Sequence, residues 1–377
     1  MKHLLKIELN PKRIYGLDVL RALAILFVVI GHGRNLMTPE IYKYVKVFVF
    51  DGVSIFFVLS GFLIGGILIK ILEEQKLTAN TIFNFWIRRW FRTLPNYFFI
   101  LALLLLLNIL FTANFIFFDK IKYFFFSQNI YYEHPTFFPE AWSLSIEEWF
   151  YLLIPVIMFV ILKYLKFSVK STIIITAVGI ILLVTLFRYY RFENYEIDTL
   201  TSWDRVFRKQ VVTRLDSLMY GIIGAYVFYY SNTLWYKYKK LCLFLGILLF
   251  IIIKFNLLNF ERFGLYHCVF SFSIVSIATL LITPFLSSIK SGKGFFYKAI
   301  TYISLISYSM YLLNLRVVQG WILKSVDWTI LQNLSTNLYF ITRYLLYWVL
   351  TIVISILLYK YFEVPTMNLR DRFRKKV

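Results

Sequence analysis

The sequence predicts an all-α fold, a polytopic transmembrane helical bundle of about ten spans with both termini cytoplasmic. Three observations predict it. The chain is 60% hydrophobic and 20% aromatic, with a mean hydropathy of +0.69; a soluble domain must wet its surface and is far less apolar. Apolar runs of spanning length, roughly 17–25 residues, recur from one end to the other. Lys and Arg then alternate between richer and poorer connecting segments, the pattern that orients membrane proteins.

The spans fall in order at about Leu17–Leu36, Phe50–Ile71, Pro95–Phe111, Trp142–Leu165, Thr172–Tyr189, Thr213–Tyr230, Leu241–Asn256, Tyr266–Leu286, Ile300–Leu323 and Leu338–Tyr359. The seventh is the weakest, being short and carrying Lys254. With the N-terminus inside, the inner segments hold 24 of the 41 Lys and Arg and the outer segments 12. The net charge of +21 is thereby a topology signal rather than a nucleic-acid footprint. One outer segment dissents: Arg188–Val212 is basic and carries Trp203. Cys242 and Cys268, the only cysteines, both lie in apolar runs and read as buried packing residues; no metal-ligand spacing exists. The start, MKHLLKIELNPKR, lacks a cleavage site after a short apolar core, so the first span is expected to be retained. With no long Gly/Ser/Pro linker and no internal repeat, residues 1–377 read as a single domain.

Ionisable groups within spans are costly in hydrocarbon, and each is a candidate for function. On the first span Arg21 and His32 are eleven positions apart, about 1100° of helical rotation, so they share one face, with a rise of about 16 Å between them. Arg21 then sits near the cytoplasmic surface and His32 well across the bilayer. Asp18 is three residues before Arg21 and can pair with it. A snorkelling arginine and a satisfied helix-end histidine would give the same pattern; Gly31 and Gly33 beside His32, which let a ligand or backbone approach the ring, favour function. On the second span Gly61 and Gly65 have the spacing that brings helix backbones together, and are expected to seat it against the first.

Before the third span, Arg88, Arg89 and Arg92 stand among aromatics and precede Pro95. Guanidinium forks suit phosphate oxygens; an interfacial positive-inside cluster accounts for the same stretch. The fourth run opens Trp142-Ser-Leu-Ser-Ile-Glu147-Glu148, two carboxylates at the head of a helix and about 100° apart, so one alone can face a core site. The sixth opens with Arg214 and Asp216, which can pair with each other or with other spans.

These pieces, in this order, resemble the acyltransferase-3 family of bacterial membrane proteins that modify surface glycans. Arg21 and His32 fit its R-x10-H motif. Asp51-Gly-Val-Ser-Ile-Phe-Phe-Val-Leu-Ser-Gly-Phe-Leu-Ile is similar to the stretch that follows. Arg89, Arg92 and Pro95 fit its arginine pair, and Trp142-Ser-Leu-Ser-Ile-Glu147 fits a stretch that selects Glu147 over Glu148. Arg214-Leu-Asp216 with Gly221, Ser307-Tyr-Ser-Met-Tyr-Leu-Leu and Glu363-Val-Pro365 fit later landmarks. Two departures stand out. Asn314 occupies a position where the family often has histidine, and the chain stops shortly after its tenth span, where many relatives continue into a soluble esterase-like domain.

The resemblance implies a membrane-bound O-acyltransferase of the bacterial cytoplasmic (inner) membrane, in contact with lipid. It would move an acyl group, by default acetyl from acetyl-CoA, to a hydroxyl of a surface polysaccharide or lipid-linked glycan, without metal or nucleic acid. His32 is expected to act as general base. Of the other histidines, His3 is in the tail, His134 in an outer loop, and His267 heads a late span with no matching motif. Arg21 and Glu147 are expected to join His32 in the catalytic set, Glu147 by orienting His32 or the acceptor, and Arg21 is also expected, with Arg88, Arg89 and Arg92, to bind the acyl-CoA phosphates. Arg214, Asp216 and Asp18 would support the core or hold the acceptor, with Arg205, Arg208 and Lys209 available to an acidic glycan. A flippase or exporter of a lipid-linked saccharide is the leading alternative, and would call for broken helices or inverted repeats; a glycan polymerase is a third.

Overall fold

The computed structural model describes residues 13–74 and 78–374, and among them there is no strand. The basic stretch before Arg13, Lys76, Lys375 and Lys376, all part of the positive-inside count, lie outside the described residues. Ten helices follow the ten apolar runs: α1 Tyr15–His32, α2 Gly52–Glu74, α3 Ala79–Phe111, α4 Ala141–Val160, α5 Val169–Asn194, α6 Leu215–Tyr230, α7 Lys239–Phe255, α8 Ser271–Ser288, α9 Gly294–Leu313 and α10 Thr336–Leu358. Seven of them (α1 to α5, α8 and α10) lie in helical segments long and apolar enough to cross a membrane, which makes this an integral membrane protein. The other three fall short for separate reasons. Helix α6 has 16 residues and α7 has 17, about 24–26 Å at 1.5 Å per residue, against a hydrocarbon thickness of about 30 Å. Helix α9 is long enough, but Ser304, Ser307, Tyr308, Ser309 and Tyr311 dilute its hydropathy.

Local chemistry explains the boundaries that matter for the site. Backbone N–H groups of Tyr15 and Gly16 donate to the carbonyls of Lys290 and Ile289 (3.2 and 2.9 Å), so the α8–α9 connection caps α1. Helix α3 begins earlier than its apolar run because Thr78 and Thr81 form a reciprocal capping box, which satisfies two otherwise orphaned N–H groups. It then passes through Pro95 without stopping. The arginines therefore project from the spanning helix itself. In α4 the two carboxylates occupy the second turn, since the helix starts at Ala141.

Helices α1, α2, α4, α6 and α9 supply much of the buried core. The Gly61–Gly65 pair seats α2 against α6, correcting the expectation that it would face the first span. A Cβ on Gly61 would stand 1.9 Å from the Leu218 carbonyl oxygen, and one on Gly221 2.2 Å from that of Val58; only paired glycines allow this approach. Contact between α2 and α1 is made instead at Gly52, whose Cβ would meet the Ala24 carbonyl at 2.2 Å. Cys242 and Cys268 are both free thiols; Cys268 is buried as expected, whereas Cys242 is half-buried.

Candidate active site

Two cavities lie along α1. The first, of about 110 Å³, is lined by Arg21 from α1, Arg89 and Arg92 from α3, Ser60 from α2 and Glu147 from α4. Arg89 and Arg92 are three apart and share a helix face; Arg88, a third of a turn away, is exposed and is not among the lining residues. Arg92 is exposed at this cavity, and the Arg89 Nε is buried without a hydrogen-bond partner, a donor left for an anion. The Glu147 carboxylate accepts from the Ser60 hydroxyl at 2.8 Å. Glu148 turns away and accepts from the Thr93 hydroxyl at 2.7 Å.

The second cavity, of about 480 Å³, surrounds the end of α1 and includes His32, Gly31, Asp51, Trp142, Asp204 and Arg208. His32 Nδ1 lies 2.6 Å from Asn314 Oδ1. The Asn314 amide nitrogen already donates to the carbonyls of Met310 and Tyr311, at 2.8 and 2.9 Å, so its oxygen is the atom that faces the ring. An amide oxygen only accepts; Nδ1 must therefore carry the proton, and Nε2 holds the lone pair. Gln319 fixes the same helix end by donating to the His32 carbonyl at 3.0 Å. Gly31 leaves space beside the ring, since a Cβ there would have one neighbour within 4 Å, at 3.9 Å.

A charged shell borders this cavity. Asp51 accepts from the Ser54 hydroxyl at 2.7 Å and pairs with Arg208 at 3.5 Å; Arg208 also bonds Asp204 at 3.0 Å, and Lys209 pairs with Asp204. Burial works against charge on Asp204, but Arg208 and Lys209 outweigh it and hold the carboxyl below its ordinary range. Burial likewise opposes the Arg208 guanidinium, and Asp51 and Asp204 more than reverse that, raising it above its ordinary value. Behind Asp51, Arg214 donates to Ser54 at 2.7 Å and lies 4.2 Å from the Phe272 ring centroid.

The predicted site residues are thus divided. Arg21, Arg89, Arg92 and Glu147 share the first cavity and His32 lies in the second. Glu147 is hydrogen-bonded to Ser60, and Asn314 holds the ring nitrogen that a carboxylate was expected to hold. Asp18 does not pair with Arg21: it accepts from Arg13 Nε at 2.9 Å and from Ser304 at 2.7 Å. Asp216 pairs with Arg188 at 2.7 Å, both fully buried, rather than with Arg214. That pair, together with buried Arg191 bonded to the Val206 carbonyl at 2.7 Å, explains the dissenting basic segment. Two of its cations are core residues, and Arg205 meets Glu133 at 3.1 Å away from the cavity lining. Asn314, Val53 and Tyr311 were not singled out by sequence as site residues. Asn314 lies one turn beyond α9's serine-rich stretch, and its spacing from His32 carries no periodic signal.

The family model described as an acyltransferase domain, that of the acyltransferase-3 family, matches residues 14–360. A Staphylococcus aureus (strain COL) protein named "Putative O-acetyltransferase" is 30% identical over 377 residues, covering 93% of this chain and 56% of that protein. The O-acetyltransferase OatA of S. aureus (strain NCTC 8325) is 28% identical over 233 residues, covering 58% of this chain and 35% of its own length. The chain spans about half the length of the first of these curated relatives. No solved structure matches it. With the family model matched from Ile14 to Lys360, the chain belongs to the acyltransferase-3 family.

Proposed function

We propose that this protein is an O-acyltransferase that moves an acyl group, acetyl by default, from acyl-CoA to a hydroxyl of a cell-surface or lipid-linked carbohydrate, with His32 as general base. The observation that carries the reading is the contact of His32 Nδ1 with Asn314 Oδ1, which leaves the Nε2 lone pair in a cavity next to one bearing three arginines. Membrane orientation follows the Lys and Arg distribution: ten spans, both termini cytoplasmic, in a bacterial inner membrane. The arginine cavity is then reached from the cytoplasm, where acyl-CoA is made, and the histidine cavity lies toward the outer side.

Arg92 at the mouth and the unpartnered Nε of Arg89 offer charge-assisted donors to phosphate, and Arg21 adds a third guanidinium. His32 Nε2 accepts the proton of the acceptor hydroxyl as its oxygen attacks the thioester carbonyl; the C–S bond breaks and the sulfur leaves as a thiol with that proton. Asn314 holds the ring through the step by accepting from Nδ1–H, a part that carboxylates take in other acyl-transfer sites. Asp51, Arg208 and Trp142 border the acceptor side, where charged groups and an aromatic face suit a sugar ring and its substituents.

The test uses purified protein in detergent with radiolabelled acetyl-CoA and a glycan acceptor. His32→Ala should lower transfer by about 10²–10⁴-fold while the protein still elutes as a folded species. Substrate translocation that survives His32→Ala would favour a flippase or exporter instead.

A further inference from the structure

The two cavities have exactly two lining residues in common among those described, Val53 and Tyr311. Val53 sits in the first turn of α2 at 5% exposure and Tyr311 in the last turn of α9 at 6%. The Tyr311 hydroxyl lies 2.6 Å from Ser143 Oγ and donates to the Glu140 carbonyl at 3.1 Å, so the ring is held from the start of α4. Consecutive residues of that helix belong to different cavities: Trp142 lines the histidine cavity and Ser143 the arginine cavity. On α2, Gly52 lines the histidine cavity alone and Phe56 the arginine cavity alone, with Val53 between them in both. Val53 and Tyr311 therefore form a partition about one side chain thick between the arginines and His32.

We propose that Val53 and Tyr311 form the constriction that sets the length of acyl chain the enzyme accepts, restricting it to short acyl groups. This rests on the reading that acyl-CoA enters through the arginine cavity. A protein interior is packed close to crystal density and yields little to added volume. One methylene in such a slot changes selectivity by about 10–200-fold. Val53 acts through its volume. Tyr311 acts through a ring held by two hydrogen bonds, so removing the hydroxyl loosens the slot without emptying it.

The experiment measures dissociation constants of CoA, acetyl-CoA, butyryl-CoA and hexanoyl-CoA by titration calorimetry with the full chain in detergent. Wild type, Val53→Ala and Tyr311→Phe are compared. In wild type, affinity should fall at least about tenfold from acetyl-CoA to hexanoyl-CoA. Val53→Ala should shrink that penalty by about tenfold and Tyr311→Phe by less, with affinity for CoA unchanged in both. Should Val53→Ala fold poorly, Tyr311→Phe, which keeps the ring, carries the test. An unchanged penalty in the variants, or none in wild type, overturns the proposal while leaving the donor reading intact. Failure of both CoA and acetyl-CoA to bind wild type overturns the donor reading, and this proposal with it.

Discussion

A neutral imidazole has one N–H and one lone pair, and the partner of the first decides where the second points. At His32 that partner is Asn314, whose own amide hydrogens are committed to the Met310 and Tyr311 carbonyls. Asn314→Ala should lower kcat by about 10–100-fold, by analogy with losing the partner that orients a metal-bound histidine, with KM for acetyl-CoA unchanged. Asn314→His, which can still present a ring nitrogen to Nδ1–H, should retain more activity than the alanine variant. Steady-state kinetics on the two variants check both statements; equal losses in both would count against tautomer control. Sequence made Arg21 and His32 legible because helical periodicity relates residues on one strand of contact. It could not show Asn314 opposite His32, since 282 residues separate them and that contact depends on how α9 docks against α1. An asparagine amide does not titrate as a base, and its part as acceptor for Nδ1–H follows only from how the helices dock. The Asp18–Arg21 pair failed for a related reason: spacing allowed it, and Arg13 and Ser304 compete for the same carboxylate.

At the scale of elements, helix positions were legible from apolar runs, while the neighbours of each helix were not. The glycine spacing on α2 correctly signals close approach, but nothing in that stretch names α6 as the partner. Gly61→Ile should drive a side chain into the Leu218 carbonyl and prevent α2 from seating, costing about 1–3 kcal/mol or more; Gly66→Ala, with nothing within 4 Å, should be neutral or stabilise by up to about 1 kcal/mol through helix propensity. Thermal unfolding in detergent distinguishes them, and equal midpoints would refute the packing argument. The buried Arg188–Asp216 pair joins α5 to α6, with Arg188 also donating to the Thr213 carbonyl at 3.0 Å. Arg188→Met leaves Asp216 buried and uncompensated, a loss of about 3–5 kcal/mol, whereas Arg188→Met with Asp216→Leu should recover most of it. No recovery in the double variant would mean that the pair's hydrogen bonds to α8 through Ser273 matter more than its charge balance.

For the whole molecule, the span count decides topology. Seven crossings, the number of segments that pass on length and apolarity, would put the termini on opposite sides; ten would put them on the same side. Short α6 and α7 and polar α9 are buried or packed against neighbouring helices, where a shorter or more polar span is tolerated. Reporter fusions at the two termini should therefore both read cytoplasmic, and opposite readings would contradict ten spans. With that orientation the arginine cavity faces the cytoplasm, and His32 lies about 16 Å along α1 from Arg21 toward the other side. The most direct measurement supplies radiolabelled acetyl-CoA to inside-out and right-side-out membrane vesicles carrying wild type or His32→Ala and counts acetyl ester on glycan. Label should appear in inside-out wild-type vesicles alone; label from acetyl-CoA on the right-side-out face, or undiminished label in His32→Ala, would contradict a donor entering at the arginines and reacting at the histidine.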